Sequence, residues 1–133
     1  MTNYPVLLAG EWREADATGS FQAVDPCTGE AIDESYPVSS RADLEAAVNA
    51  AAGAAEALLD LDAGVRASFL DAYADRIDAN ADEIAERAHI ETALPLSPRL
   101  RDVELPRTTG QLRQAAAAVR EGTWAEVTID TET

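Results

Sequence analysis

The hydrophobic pattern of this chain changes period once, between Pro37 and Ser40, and that change constrains the fold more than any other feature. Before it, short apolar and aromatic runs separated by glycine or proline are typical of strands. After it, apolar residues recur every three or four positions, as on one face of a helix. We therefore predict an α+β fold that is mainly α, with short strands over residues 5–37, about four helices over 40–121 and a strand-like tail over 124–130.

The β region is predicted to contain a hairpin, a loop and a corner. The apolar run Val6–Ala9 ends at Gly10, which predicts a hairpin turn there, and the polar segment 14–20 predicts a loop. Within Phe21–Pro37, the letters DPCTG from position 25 combine a helix-incompatible proline with a glycine that tolerates positive φ. This stretch predicts strand, tight corner, strand, and Pro37 is expected to close the β region.

Ser40 opens the first predicted helix, which extends from about Arg41 to Leu59. Its hydroxyl can accept a hydrogen bond from a first-turn amide, and Asp43 places a carboxylate at the positive end of the helix dipole. One stripe of this helix is apolar and includes two alanines, which predicts close approach to a neighbouring element. Its members are Leu44, Val48, Ala51, Ala55 and Leu58.

Two further helices follow Asp62, which is a candidate N-cap. The second helix has one face of larger apolar residues. They are Val65, Phe69, Tyr73 and Ile77. Asn80 with Glu83 has the spacing of a capping box for a third helix, so the second and third are predicted to run nearly continuously.

The fourth helical region is predicted to be interrupted. Ser97-Pro98 resembles a cap followed by proline at the first helical position. Pro106 lies inside the region and costs roughly 3 kcal/mol in a helix interior, which predicts a break near Leu105. Gly122 is predicted to end the helix.

Composition limits the partners and the compartment. The chain has 133 residues, a formal net charge of −15 and ten basic residues that are all arginine. That length suits one domain, and the charge argues against nucleic acid or an anionic membrane as a partner. The acidic balance also suggests a salt-rich host as a hypothesis. One cysteine, no basic leader and no long apolar window predict a cytoplasmic protein that is neither exported nor membrane-spanning.

Neither of the two most reactive-looking side chains is assigned a catalytic role. Cys27 lies in the corner among Asp25, Glu30 and Asp33, which would oppose formation of a thiolate nucleophile. A small turn residue is the favoured interpretation. His89 lies in a predicted helix, where a surface or hydrogen-bonded histidine is favoured over a general base.

Other candidate sites are equally weak. Carboxylate pairs four residues apart, such as Asp71 with Asp75 or Asp82 with Glu86, are expected by chance in so acidic a chain and do not predict a metal site. The seven glycines form neither nucleotide-binding fingerprint. The two tryptophans are expected to be core or interface anchors. Four arginines concentrate in the fourth helical region, and internal ion pairing is favoured over an anion site. They are Arg99, Arg101, Arg107 and Arg113.

Several stretches, in this order, resemble the N-terminal region of the aldehyde dehydrogenase superfamily. The similar segments are AGEW at 9–12, FQAVDPCTGE at 21–30, the helix with Asp43, Ala46, Ala47 and Val48, RASFL at 66–70 and ETALP at 91–95. Residues 107–113 and 121–124 resemble more narrowly the branch that includes α-ketoglutarate semialdehyde dehydrogenases. Departures from the common pattern are Asp25, Ala93 and Pro106.

The resemblance implies an NAD(P)-dependent enzyme that oxidises an aldehyde to a carboxylic acid through a cysteine nucleophile. It also implies that the nucleotide turn, the oxyanion asparagine, the general-base glutamate and the catalytic cysteine all lie beyond the matched region. Cys27 stands where the family usually has alanine. No catalytic, cofactor-binding or metal-binding residue is therefore assigned to this chain, and no cofactor is expected to bind it alone.

The expected function is that of a single N-terminal structural segment over 1–133, inactive alone. Its expected partner is the remainder of the dehydrogenase or a second copy, and the family's habit of oligomerising implies a homo-oligomer. Two other classes stay open. One is a stand-alone acidic helical interaction module, and the other is a small acidic enzyme that uses carboxylates or His89.

Overall fold

The computed structural model describes residues 2–122, so the predicted tail over 124–130 lies outside the described residues. Strands precede helices, and the prediction of an α+β fold that is mainly α is confirmed. The strands are β1 Thr2–Asn3, β2 Val6–Leu8, β3 Glu11–Arg13, β4 Ala17–Phe21 and β5 Glu34–Ser39. The helices are α1 Arg41–Leu59, α2 Ala63–Ala79, α3 Ala81–Thr92, a π-helix Leu96–Glu104 and α4 Leu105–Glu121.

The described chain divides into two compact units. The first comprises residues 2–60 and 90–93, and the second comprises 61–89 and the described residues from 94 onward. The first unit therefore contains the strands and α1, and the second contains α2, most of α3, the π-helix and α4.

The predicted hairpin is present in the first unit. β2 and β3 pair antiparallel, with Leu8 opposite Glu11. Ala9 and Gly10 form the two-residue connection, and both have positive φ, 53° and 86°. Such a turn matches the twist of the flanking strands, and glycine adopts it without steric cost.

A three-stranded sheet, in the order β1-β5-β4, corrects two predictions about the β region. The expected loop over 14–20 is wrong from Ala17 onward, because β4 pairs antiparallel with β5 from Ala17 opposite Ser39 to Phe21 opposite Tyr36. All of β4 is exposed, so no apolar alternation marks it in the sequence. Pro37 does not end the β region either. β1 pairs only with the start of β5, so one edge of β5 at Pro37 needs no donor for a ladder.

The predicted corner is confirmed. The Asp25 carbonyl accepts a hydrogen bond from the Gly29 amide at 2.8 Å, and the Asp25 amide donates to the Glu30 carbonyl at 2.9 Å. Gly29 has a φ of 74°, which explains the glycine. Val24 and Ala31 form an isolated antiparallel bridge at the mouth of the corner.

α1 begins and ends as predicted, but its apolar stripe is not buried. The Ser40 hydroxyl accepts a hydrogen bond from the Asp43 amide at 3.2 Å, as an N-cap does. Leu44 and Val48, however, are 61% and 59% exposed. The expectation of a stripe buried against a neighbour is therefore wrong for the described residues. Asp43 is the buried residue of this helix.

The second unit has a core of small residues between α2 and α4. Asp62 caps α2 as predicted and accepts a hydrogen bond from the Gly64 amide at 2.7 Å. The fully buried residues are Ala67 and Ala74 on α2 and Ala116 on α4. Small side chains allow the two helices to approach closely, so close packing selects the alanine face. The face of Val65, Phe69 and Tyr73 instead lies exposed on the opposite side of α2.

The remaining helix boundaries follow local chemistry. Asn80 separates α2 from α3, and its side-chain amide donates to the Arg76 carbonyl at 2.7 Å, so it closes α2. The two helices are nearly continuous, as predicted. The break or kink predicted near Leu105 is wrong as a change of backbone direction, because Glu104 and Leu105 both keep right-handed helical dihedral angles and only the hydrogen-bond pattern changes from π to α there. The non-helical dihedral angles lie at Ser97 instead. Pro106 lies in the first turn of α4, where a missing amide costs little.

Candidate functional site

Cys27 is a turn residue. Its amide donates a hydrogen bond to the Asp25 carboxylate at 2.7 Å, and its thiol is exposed. The carboxylate thus orders the corner from within, as aspartate commonly does in turns. The geometry therefore agrees with the structural role expected from the sequence.

His89 links the last turn of α3 to the connector that follows the helix. Its Nδ1 lies 2.6 Å from the Leu94 carbonyl, to which it donates when that nitrogen carries the proton. The side chain is exposed and sits in the last turn of α3. Within residues 2–122, no three histidine, cysteine or acidic side chains are placed so that they could hold a metal ion.

Asp43 and Arg13 form a partly buried ion pair in the first unit. The Arg13 guanidinium donates to one carboxylate oxygen, and the Asp16 amide donates to the other at 2.8 Å. The Asp43 side chain is 7% exposed, whereas that of Arg13 is 45% exposed. Asp43 therefore ties β3 and the following loop to the first turn of α1. Sequence reasoning identified Asp43 only as a first-turn acid and missed Arg13.

Arginines of the second unit pair internally, as predicted. Arg99 lies 2.7 Å from the Glu104 carboxylate, and Arg101 pairs with Asp82. Arg107 lies 3.7 Å from Glu104. With acids beside each guanidinium, this region does not form an anion site.

Two arginines of α4 pair with acids of α2 in a ladder that links the helices. Arg113 lies 2.8 Å from Asp75 and 2.7 Å from Asp78, and Arg120 lies 2.5 Å from Asp71. The spacing of seven residues between Asp71 and Asp78 matches that between Arg113 and Arg120. On antiparallel helices, equal spacings with opposite order bring both pairs together. This spacing is the sequence signal that was missed.

The ion pairs of the ladder shift the pKa values of Asp78 and Arg113. The hydrogen bond from Arg113 lowers the pKa of Asp78, against a smaller opposing effect of desolvation. The hydrogen bonds to Asp78 and Asp75 raise the pKa of Arg113. Both shifts favour the charged forms, as expected for a structural ion pair.

Exposed apolar side chains form a further candidate site. We call Val65, Phe69 and Tyr73 the α2 stripe, and Leu44 and Val48 the α1 stripe. The α2 stripe is 54%, 68% and 53% exposed in that order. In the first unit, residues of β2 and the first turns of α1 also line a shallow groove. Trp12, an expected anchor, is 70% exposed and is not part of a core, and Trp124 lies outside the described residues.

Comparison with known proteins decides the family. The model of the aldehyde dehydrogenase family matches residues 12–133. The chain belongs to this family. The resemblance to this family drawn from the sequence is thus confirmed. α-Ketoglutaric semialdehyde dehydrogenase 2 of Azospirillum brasilense is 42% identical over 125 residues, which are 93% of this chain and 23% of that enzyme.

Other relatives agree in family and in coverage. A probable aldehyde dehydrogenase of Mycobacterium tuberculosis is 30% identical over 98% of this chain and 26% of its own length. The crystal structure of an aldehyde dehydrogenase from Bartonella henselae has a TM-score of 0.81 at 20% identity, over 91% of this chain and 25% of that one. The NADP-dependent glyceraldehyde-3-phosphate dehydrogenase of Bacillus halodurans, complexed with NADP, has a TM-score of 0.79 at 26% identity, over 88% and 24%. This aldehyde dehydrogenase segment spans about a quarter of its relatives' length.

The first turns of α1 and α2 are poorly suited to a dinucleotide phosphate. The first turn of α1 contains the buried carboxylate of Asp43, and the first turn of α2 is capped by the carboxylate of Asp62. A Cβ added to Gly64 would lie 2.8 Å from the Asp62 carboxylate, so the cap fills that space. Two carboxylates at these helix ends oppose the binding of a phosphate. No step of the dehydrogenase reaction is therefore assigned to these residues.

No helix among the described residues combines the length and the apolar character needed to cross a membrane.

Proposed function

We propose that this chain is the N-terminal structural portion of a cytoplasmic NAD(P)-dependent aldehyde dehydrogenase and that it has no catalytic activity alone. The observation that carries the proposal is the family match over residues 12–133 in a chain that covers only about a quarter of its relatives. The similarity to α-ketoglutaric semialdehyde dehydrogenase 2 supports a semialdehyde as the substrate of the complete enzyme.

The structural contribution rests on the two units. In the first, Asp43 joins β3 and the loop at Asp16 to α1. In the second, an alanine core and the ladder hold α2 against α4. Each unit also leaves an apolar helix stripe exposed, as expected of a segment that forms one layer of a larger fold.

Two assays test the proposal. The purified chain, mixed with NAD⁺ or NADP⁺ and α-ketoglutaric semialdehyde, should produce no reduced cofactor. Adding the Azospirillum enzyme without its matched N-terminal region should restore cofactor reduction, whereas the truncated enzyme alone should not. Cofactor reduction by the chain alone contradicts the claim of inactivity, and failure of the mixture contradicts the structural role.

A stand-alone interaction module is the second candidate. It is favoured by the buried alanine core and the ladder of the second unit, which stabilise α2 and α4 without a partner. Its signature would be a cooperative melt of a stable monomer or dimer, unaffected by cofactor, together with no restoration of activity in the mixture.

A further inference from the structure

The α2 stripe is a continuous apolar surface on one side of a helix. Val65, Phe69 and Tyr73 follow one another at intervals of four residues, so their side chains share a face. The rings of Phe69 and Tyr73 stack with centroids 6.3 Å apart and planes 20° apart. More than half of the accessible area of each of these side chains is exposed.

The opposite face of the same helix is already used. Ala67 and Ala74 are fully buried, and α2 makes its main packing contact with α4. A helix that is apolar on two opposite faces is typical of the interior of a larger protein. The stripe is therefore not a substitute for the α2–α4 core but a second contact surface.

Charge at the end of the stripe indicates the character of its occupant. Arg76 lies three residues beyond Tyr73 on the same face, is exposed, and forms no ion pair with any other described residue. In a chain with a net charge of −15, an arginine beside an apolar surface favours an occupant that places a carboxylate there.

A second copy is the less suitable occupant. Each chain has a net charge of −15, so two copies repel one another. The relatives carry a further polypeptide that can cover an apolar helix face, since this chain matches 23% of one and 26% of another.

We infer that Val65, Phe69 and Tyr73 are the face through which this chain binds the part of the aldehyde dehydrogenase fold that its relatives carry beyond the matched region. The inference rests on the proposed function and adds the location of the contact. The partner surface is apolar, with an acidic side chain opposite Arg76.

Binding of the full chain to the truncated Azospirillum enzyme, measured by titration calorimetry, tests the inference. Phe69→Asp should weaken binding by roughly tenfold or more, because the apolar contact of the Phe69 ring is lost and a carboxylate is buried in its place. Tyr73→Asp should act in the same way, and Arg76→Glu should weaken binding less and in a salt-dependent manner. Phe21→Asp is the matched control, because Phe21 is 57% exposed in the other unit, and it should bind as the wild type does.

The outcomes separate the two proposals. If the wild-type chain does not bind truncated enzyme that circular dichroism and a cooperative melt show to be folded, the proposed function fails. If it binds and Phe69→Asp binds equally well, or if Phe21→Asp weakens binding as much, only the location of the contact is overturned. Sedimentation of the chain alone adds one test, because a dimer abolished by Phe69→Asp would assign the stripe to a second copy. Circular dichroism should show that all variants remain folded, since the exposed Phe69 has no core to support.

Discussion

Replacing Asp43 by alanine should destabilise the first unit more than any surface substitution. The carboxylate accepts hydrogen bonds from the Arg13 guanidinium and the Asp16 amide while its side chain is only 7% exposed. Alanine removes both acceptors at once and also removes a negative charge from the positive end of α1.

The magnitude follows from the exposure of the donors. A hydrogen bond to a charged group contributes about 1.5–3 kcal/mol, and an unpaired buried donor costs a similar amount. The Arg13 side chain is 45% exposed, so water can replace part of what it loses. We expect the free energy of unfolding to fall by about 2 kcal/mol in Asp43→Ala and by about half of that in Asp43→Asn, which keeps one neutral acceptor.

Hydrogen exchange measures this effect in the first unit alone. The Ser40 amide donates to the Asp16 carbonyl at 2.7 Å, so its protection reports whether the joint between the loop and α1 is closed. Glu45→Ala is the control, because Glu45 pairs with Arg41 four residues away while 61% of its side chain is exposed. Such pairs contribute less than about 1 kcal/mol. Equal protection in Asp43→Ala and Glu45→Ala would refute the argument.

Four other substitutions test the ion pairs, the packing of the second unit and two glycine positions. Arg113→Gln should lower the urea midpoint at neutral pH but not in acid. Folding lowers the pKa of Asp78, so the ion pair stabilises the fold above the unfolded pKa of about 3.9. That stabilisation is lost as the pH falls through the folded pKa of Asp78. Ala67→Leu should cost about 1–3 kcal/mol in urea denaturation, because the site is fully buried and the larger side chain overpacks it; an unchanged midpoint would contradict the packing. Gly122→Ala should cost about 1 kcal/mol in thermal melts because φ is 67° there, whereas Gly53→Ala, inside α1 with open space for a methyl group, should stabilise by a similar amount.

Local chemistry made the helix boundaries and the family predictable. Ser40 and Asp62 cap the helices that they precede, and Gly10 forms its turn, because each acts on backbone groups only a few residues away. The corner around Asp25 is local in the same sense. The hairpin turn and the corner also lie within segments that resemble aldehyde dehydrogenases.

The features that the sequence did not predict depend on contacts between residues far apart in the chain. β4 has no apolar alternation, and its order depends on hydrogen bonds to β5. The sequence identified the face of α2 that carries Phe69 and Tyr73, but not that this face is exposed while the packed face consists of alanines. For the candidate site, the sequence correctly predicted internal pairing of arginines, but it did not reveal the partner of each.

The sequence alone thus determined the family, the division into strands followed by helices, the caps of α1 and α2 and the structural role of Cys27, since these depend on contacts within a few residues. Only the tertiary structure decided that Asp43 meets Arg13 across thirty residues, that Arg113 joins α4 to α2, and that the α2 stripe faces outward. Those facts depend on which helix faces meet. Several faces of an alanine-rich helix satisfy the same periodicity, and close packing chooses among them.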